Sequence, residues 1–166
     1  MATAIFYASS TGNTKDGAKK IANELGIKDI FDIASGNILL IQNYEKLIIG
    51  SSTWGEGDLQ DDWEENWEQF QAIDFEGKTV ALFGYGDQEQ YCDNFVDAMG
   101  MIGEVVTQGE GKIIGQWSAN EYDFDESKAL LDDETFIGLA LDEDNQAELT
   151  DERIKTWCNQ IRDEIL

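Results

Sequence analysis

The chain has 166 residues, with 11 Lys or Arg, 35 Asp or Glu and no His, which gives a formal net charge of −24. This length suits one hydrophobic core, so we expect a single domain over residues 1–166. The charge excludes nucleic acids and anionic membrane surfaces as partners and favours partners with basic surfaces. Hydrophobic residues make up 42% of the chain, which is enough to bury a core, so the charge does not predict disorder.

Missing residue types narrow the chemistry further. Without His, the chain cannot form a Ser-His or Cys-His nucleophilic pair or a His-ligated metal site, and we expect no metal. Cys92 and Cys158 are far apart and lack CxxC spacing, so we expect two free thiols in a reducing compartment. We find no signal-peptide pattern and no apolar stretch long enough to span a membrane. These features predict a cytoplasmic protein.

Short apolar segments alternate with helical patterns along the chain. Strands are predicted at Thr3–Ala8, Ile30–Ile33, Lys46–Gly50, Thr79–Phe83 and Lys112–Gly115. Helices are predicted at Asn13–Leu25, Asp61–Phe70, Tyr91–Val106 and Asp151–Ile165. Parallel strands need crossover connections and are buried on both faces, so this alternation predicts a doubly wound α/β sandwich of three layers.

The segment Gln116–Gly138 departs from this alternation. It is polar and acidic, with aromatic residues spread along it. We therefore interpret it as a long insertion before or within the last strand.

The loop after the first strand has the composition of a phosphate site. It supplies hydroxyls, an amide and a flexible glycine just before a helix, from residues Ser9, Ser10, Thr11, Gly12, Asn13 and Thr14. Backbone N–H groups at a helix start attract an anion, and hydroxyls add further donors. The loop lacks the lysine of a nucleoside-triphosphatase loop and the GxGxxG of a dinucleotide site, which favours a terminal monophosphate. The alternative is an ordinary helix cap, since Ser, Thr and Asn are common there.

Two later loops each carry an aromatic residue. In doubly wound sheets, ligands bind beyond the carboxyl ends of the strands, where the loops Ser51–Asp58 and Gly84–Tyr91 are expected. Trp54 in the first of these could offer a flat surface to an aromatic ring, or it could fold back on the core. Tyr91 in the second could offer an opposing surface. Together with the phosphate loop, these residues indicate a planar ring that carries a phosphate.

The sequence resembles the flavodoxins, and specifically the long-chain type. The resemblance covers essentially the whole chain and depends on four segments: IFYASSTGNT (5–14), GSSTWGEGDLQDDW (50–63), ALFGYGDQEQYCDNF (81–95) and GLALDEDNQAELTDERIKTW (138–157). It implies a flavodoxin-like fold with a five-stranded parallel sheet of order 2-1-3-4-5 and a long insertion in the last strand. It also implies a non-covalently bound FMN and a low-potential one-electron carrier, not an enzyme, that works between the semiquinone and hydroquinone states.

The resemblance also assigns expected roles to individual residues. The loop from Ser9 to Thr14 would hold the FMN phosphate, Thr53 and Asp144 would approach the ribityl chain, and Trp54 and Tyr91 would enclose the isoalloxazine ring. Asp87 would lie near the pyrimidine edge, and the Gly55-Glu56 peptide would turn its carbonyl toward N5 on reduction. The rest of the expected cofactor-binding set is Ser52, Gly57, Gly84, Tyr85, Gly86 and Asp93.

The acidic residues around this site have an expected electrostatic role. Carboxylates beside the flavin would disfavour its anionic, fully reduced form and lower the potential of that couple. The same acidic surface would attract basic-faced redox enzymes, such as a flavodoxin/ferredoxin-NADP reductase or a pyruvate oxidoreductase, to a monomeric carrier. A simpler interpretation is that these charges only maintain solubility. For the insertion, partner docking is the expected role.

Two other functions remain open at this point. The first is an FMN-dependent NAD(P)H:quinone reductase of the same fold, although the sequence offers no basic pocket for a nucleotide phosphate. The second is a receiver-like regulatory module without flavin. That module needs an Asp at the end of the third strand, where this chain has Gly50-Ser51-Ser52.

Overall fold

The structure, a computed structural model, describes residues 3–54 and 57–166 of the chain, apart from the side chain of Trp54. The strands are β1 (Thr3–Tyr7), β2 (Asp29–Asp32), β3 (Lys46–Trp54), β4 (Asp58–Leu59), β5 (Thr79–Tyr85), β6 (Lys112–Ile114), β7 (Trp117–Ser118), β8 (Leu130–Asp132), β9 (Thr135–Phe136) and β10 (Leu139–Leu141). The α-helices are α1 (Asn13–Leu25), α2 (Asp61–Glu65), α3 (Trp67–Gln71), α4 (Asp97–Gln108) and α5 (Thr150–Ile165). Short 3₁₀ turns occur at Ile33–Ser35, Ile38–Asn43 and Ala147–Leu149.

A parallel sheet forms the middle layer of the molecule. Its strands pair in the order β2-β1-β3-β5, and both β6 and β10 pair with the outer side of β5. When β6 and β10 are counted as two halves of one fifth strand, the order is 2-1-3-4-5. The predicted α/β flavodoxin-like fold and its strand order are thus confirmed.

Each face of the sheet carries its own hydrophobic core, because neighbouring residues of a strand point to opposite faces. On one face, Ile5 and Ile48 pack with residues of α1 and α5 that include Ile21 and Trp157. On the opposite face, Phe6 and Ile49 belong to a cluster that takes in residues of α2, α3, α4 and the insertion. The inward side chains expected on α5 are all buried: Ile154, Trp157, Cys158, Ile161 and Ile165.

The fifth strand is interrupted by an insertion over residues 115–138. Ile114 lies opposite Ala81 of β5, and Leu139 lies opposite Phe83, so only the register position of Leu82 separates the two halves. Within the insertion, β7, β9 and β8 form a small antiparallel sheet. The Tyr122 hydroxyl donates a hydrogen bond to the carbonyl of Ala140 (2.6 Å), which fastens the insertion to β10. The predicted insertion in the last strand is therefore confirmed.

Three elements differ clearly from the sequence-based prediction, and the other predicted boundaries agree with the structure to within two residues. Strand β3 does not end at Gly50 but continues to Trp54, because Ser51 and Ser52 pair with β5 and β4 pairs with its last residues. The single helix predicted at 61–70 is two short helices, interrupted at Asn66, whose side-chain amide donates to the carbonyl of Asp62 (2.7 Å). The helix predicted to begin at Tyr91 begins at Asp97, because residues 88–95 form turns in which the Cys92 carbonyl and the Phe95 N–H bond to the insertion.

Over the part of the chain that the structure describes, the helices are too short or too polar to cross a membrane.

Candidate functional site

A cavity lies at the carboxyl edge of the parallel sheet, beyond the ends of β1, β3, β5 and β10. The loops that follow these strands and the last residues of β3 and β5 line it: Thr11, Asn13, Ser52, Thr53, Tyr85, Gly86, Asp87, Tyr91, Glu143 and Asp144. All of these except Glu143 were predicted as site residues from the sequence. This is the edge where doubly wound sheets bind ligands.

The loop between β1 and α1 turns through a glycine. Gly12 has φ +98°, a left-handed conformation that favours glycine, and its N–H donates to the Ser9 hydroxyl (3.0 Å). The turn places the start of α1 beside the cavity. Thr14, in the first turn of α1, is 1% exposed, and its hydroxyl has no hydrogen-bond partner among the described residues. A buried hydroxyl without a partner loses free energy unless a ligand supplies one, so its position fits a bound anion.

Gln60 supports the same loop from the next layer. It is 1% exposed, and its Nε2 donates to the hydroxyl of Ser10 (3.0 Å). Its Oε1 accepts from the backbone N–H groups of Asp62 (2.8 Å) and Trp63 (3.3 Å), so it also caps α2. Gln60 was not predicted as a site residue, because Gln is not among the residues that usually cap the start of a helix.

The end of β3 contributes two hydroxyls to the cavity. Ser52 is 8% exposed, and its buried Oγ has no partner among the described residues. The Thr53 hydroxyl accepts a hydrogen bond from the N–H of Ala98 (2.9 Å) at the start of α4. Ser52 is therefore available to a ligand, whereas Thr53 also positions the helix.

The loop after β5 is shaped by Asp87 and carries Tyr91. The Asp87 carboxylate accepts from the N–H groups of Glu89 (3.1 Å) and Gln90 (2.9 Å), which closes the turn. The half-buried ring of Tyr91 then faces the cavity. Tyr85 lies deeper, where burial, followed by the charges of Glu143, Asp16 and Asp151, raises the pKa of its phenol well above the ordinary value.

The loop after β10 brings carboxylates to the cavity. Partial desolvation, followed by the charges of Asp87, Asp142 and Glu143, raises the pKa of the Asp144 carboxyl. Asp142 is itself fully buried and accepts hydrogen bonds from Gln88, Asp144 and Asn145. Asp142, Gln88 and Asn145 were not predicted as site residues, although an acidic residue directly after a buried strand was visible in the sequence.

The other predicted residues lie at varying distances from the cavity. Gly57 packs against Asp97, and Gly84 packs against Met99, so each allows a close approach of α4 and does not line the cavity. Asp93 is exposed beside Cys92 and Asp125. The Sγ of Cys92 and one carboxylate oxygen of each aspartate lie within 4.8 Å of one another. Gly55, Glu56 and the side chain of Trp54 lie outside the described residues, so the expected peptide rotation and the second ring surface are not described.

The chemistry of the cavity suits a polar ligand that also has a flat ring. Hydroxyls and backbone N–H groups of the first loop and of β3 can donate to an anion and to an alcohol chain, and Tyr91 can pack against a ring. Lys and Arg are absent from the described cavity lining. These features define a doubly wound α/β protein whose cavity, at the carboxyl edge of the sheet, offers neutral donors that suit a phosphorylated ring compound.

Comparison with known proteins identifies the family. The family model described as Flavodoxin matches residues 5–157. A flavodoxin of Synechocystis sp. is 48% identical over 161 residues, which cover 95% of this chain and 94% of the relative. Flavodoxin 1 of Escherichia coli is 44% identical over 165 residues, which cover 98% of this chain and 94% of the relative. This chain belongs to the flavodoxin family, as its sequence motifs predicted.

Solved structures agree with this assignment. The crystal structure of Fusobacterium nucleatum flavodoxin bound to flavin mononucleotide matches this chain with a TM-score of 0.90 and 32% identity, and the match covers 99% of each chain. A single-site variant of the same protein, also bound to flavin mononucleotide, matches with a TM-score of 0.92 and 34% identity and covers 99% of this chain and 97% of the variant.

Proposed function

We propose that this chain binds FMN non-covalently and carries single electrons at low potential between redox enzymes. The observation that carries the proposal is the pair of buried, unpartnered hydroxyls, Thr14 Oγ1 and Ser52 Oγ, in the first loop–helix junction and at the end of β3. Family membership and the FMN-bound F. nucleatum structures support the same ligand.

The residues around the cavity fit the parts of FMN. The loop from Ser9 to Thr14, with the start of α1 behind it, would hold the phosphate through N–H groups and hydroxyls. Ser52, Thr53 and Asp144 would contact the ribityl hydroxyls. Tyr91, and Trp54 on the other side, would pack against the ring and exclude water from it. When bound, FMN supplies the chemistry of accepting and releasing electrons one at a time.

The carboxylates around the cavity would set the electrostatic environment of the ring. Asp87, Glu143 and Asp144 line the cavity, and Asp142 lies buried behind them. Their negative potential opposes further negative charge on the bound group, which lowers the potential at which the last electron is accepted. A protein that donates electrons to enzymes catalysing difficult reductions needs such a low reduction potential.

The partners and the cellular setting are part of the same proposal. With a net charge of −24, the chain would attract basic-faced redox enzymes, such as a flavodoxin/ferredoxin-NADP reductase or a pyruvate oxidoreductase. It would act in the cytoplasm, as a monomer, and as a carrier without catalytic turnover of its own.

The test is anaerobic, stepwise reduction of the FMN-loaded protein, followed by visible absorbance. We expect a long-wavelength absorption band that rises and then bleaches, because a one-electron carrier holds its two reduction steps apart. Direct passage from yellow to colourless, with steady oxidation of NADPH by the isolated protein, would favour the quinone reductase instead. Failure to bind FMN would contradict both.

A pair of matched variants tests the assignment of Thr14. Thr14→Val removes the hydroxyl and keeps the shape, so we expect FMN affinity to fall about tenfold or more, as for one hydrogen bond to a charged group. Thr150→Val is the control, since Thr150 is also buried with an unpartnered hydroxyl but lies at the start of α5. Equal FMN dissociation constants for the two variants would remove Thr14 from the phosphate site.

A further inference from the structure

We infer that Gln88 is a positioning residue that ties the loop bearing Tyr91 both to the insertion and to the loop after β10. The flavin part of this inference depends on the function proposed above. The inference makes the insertion a support for one wall of the ring-binding site, in addition to any surface it offers to partners.

Gln88 makes these connections through its backbone N–H and through both polar atoms of its side-chain amide. It is 2% exposed. Its backbone N–H and its Nε2 both donate to Oδ2 of Asp142, at 3.0 and 2.8 Å. Its Oε1 accepts from the backbone N–H of Asp123 in the insertion, at 2.7 Å. One buried amide therefore connects three separate segments of the chain.

Asp142 extends the connection to the loop that carries Asp144. Its Oδ1 accepts from the N–H groups of Asp144 (3.1 Å) and Asn145 (3.0 Å). The side-chain amide of Asn145 donates both to Asp142 (2.9 Å) and to the Asp87 carboxylate (2.8 Å). Two walls of the cavity, the loops after β5 and β10, are thus held at a fixed separation by fully buried or half-buried polar groups.

Tyr91 lies between this connection and a second one. The carbonyl of Cys92 accepts from the N–H groups of Asp125 (2.8 Å) and Glu126 (2.9 Å) in the insertion. The Phe95 ring also packs against Phe124 of the insertion, with ring centroids 5.4 Å apart. The segment that presents Tyr91 is therefore anchored to the insertion on both sides of the tyrosine, at Gln88 and at Cys92.

The position of the Tyr91 ring consequently depends on contacts that the insertion makes. The insertion also takes the Cys92 carbonyl and the Phe95 N–H, two groups that a helix over 91–96 would use internally, and the segment forms turns instead. Loss of the Gln88 connection should leave the fold intact, since Gln88 itself belongs to neither hydrophobic core, and loosen the loop that faces the ring.

The first test compares Gln88→Met with Gln90→Met, which makes the same substitution at an exposed position of the same loop. In the apoprotein, amide hydrogen exchange at Asp123, Asp144 and Asn145 should be about tenfold faster in the Gln88 variant and unchanged in the Gln90 variant. In the FMN-loaded protein, the FMN dissociation constant should rise about tenfold for the Gln88 variant, with a changed visible circular dichroism band of the bound flavin.

A second variant, Gln88→Glu, adds a pH-dependent readout. Its carboxylate would face Asp142, with Asp87 and Asp144 nearby and Asp123 beside it on the insertion, so its pKa should be raised. When protonated, it can again donate to Asp142 and accept from Asp123. We therefore expect weak FMN binding at pH 8 that recovers toward the wild-type value as the pH falls toward about 5.5.

The outcomes separate this inference from the proposed function. If wild-type protein fails to bind FMN, the proposed function fails, while the exchange rates still decide whether Gln88 holds the loops. Faster exchange without weaker FMN binding overturns the positioning role. Equal exchange in the two methionine variants, or pH-independent binding by the glutamate variant, overturns the inference altogether.

Discussion

The carboxylate of Asp97 accepts a hydrogen bond from the backbone N–H of Lys128, at 2.7 Å. Asp97 opens α4 and is 1% exposed, and it also accepts from the side-chain amide of Asn94 (3.1 Å). Lys128 belongs to the insertion. One buried carboxylate thus joins the start of a core helix to the segment that interrupts the fifth strand.

Asp97→Ala should therefore destabilise the apoprotein by about 1 to 2 kcal/mol, because it leaves two partly buried donors without their acceptor. Urea unfolding measures the loss. Asp93→Ala is the matched control, since Asp93 is exposed four residues earlier and should change the free energy of unfolding by less than about 0.5 kcal/mol. Similar losses for the two variants would show that the Asp97 contact contributes little.

Salt should stabilise the apoprotein. With a net charge of −24, the folded chain repels itself more strongly than the expanded chain, and salt screens that repulsion. Between about 0.02 and 0.5 M NaCl, we expect the free energy of unfolding to rise on the order of 1 to 2 kcal/mol. A neutral osmolyte at equal osmolality controls for effects that are not electrostatic. A free energy of unfolding that falls with added NaCl would mean that specific ion pairs outweigh the general repulsion.

Asp144→Asn should stabilise the apoprotein at neutral pH. The folded-state pKa of Asp144 is raised above the ordinary value of 3.8, so the folded state binds its proton more tightly than the unfolded state. The associated stabilisation is present below pH 3.8 and is lost as the pH rises through the raised value. The asparagine variant removes the free-energy penalty of the ionised carboxylate. Because the site is exposed, we expect the free energy of unfolding to rise by less than about 0.5 kcal/mol.

Urea unfolding of the Asp144→Asn variant and the wild type from pH 7 down to about pH 3.5, a range that includes both the ordinary and the raised pKa of Asp144, tests this sign. The advantage of the variant should shrink as the pH falls. An advantage that grows on acidification would contradict the raised pKa, and direct NMR titration of the Asp144 carboxyl provides an independent check.

The two cysteines should differ sharply in reactivity. Cys158 lies on the inward face of α5 and is fully buried, and burial raises the pKa of its thiol to about 12. Cys92 is partly exposed, and its thiol donates a hydrogen bond to Asp125 (3.4 Å), which raises its pKa. Because thiolate is the reactive form, native protein should be alkylated only at Cys92, and more slowly than a free thiol.

Mass spectrometry after timed alkylation measures both sites. Asp125→Ala should accelerate labelling of Cys92, and Ser118→Ala, an exposed substitution elsewhere in the insertion, should not. Labelling of native Cys158 at a rate similar to that of Cys92 would contradict its burial.

Where local signals agree with the fold, the sequence predicted the structure closely. Helix α1 occupies the predicted residues Asn13–Leu25, because Gly12 and Gly26 adopt left-handed conformations at its two ends and Ile21 and Leu25 face the core. The structure also brings the predicted loops together around one cavity at the carboxyl edge of the sheet, which is where doubly wound sheets bind ligands.

Sequence patterns do not predict the structure where contacts between distant segments decide it. The apolar spacing of Phe95, Val96, Met99 and Ile102 correctly predicted buried residues, but it could not show that residues before Asp97 bond to the insertion. Buried polar residues such as Gln88 and Asp142 carry no periodic signal either. Their roles become visible only when the loops that they join lie side by side.

The register of the interrupted fifth strand has a consequence for how the chain could be shortened or extended. Ile114 and Leu139 lie two register positions apart along β5, opposite Ala81 and Phe83, so the chain leaves and re-enters the sheet at nearly the same point. A single residue could bridge that gap, and the sheet would continue without a break. A segment between the two halves of the fifth strand can therefore be removed, lengthened or replaced without altering the order of the strands.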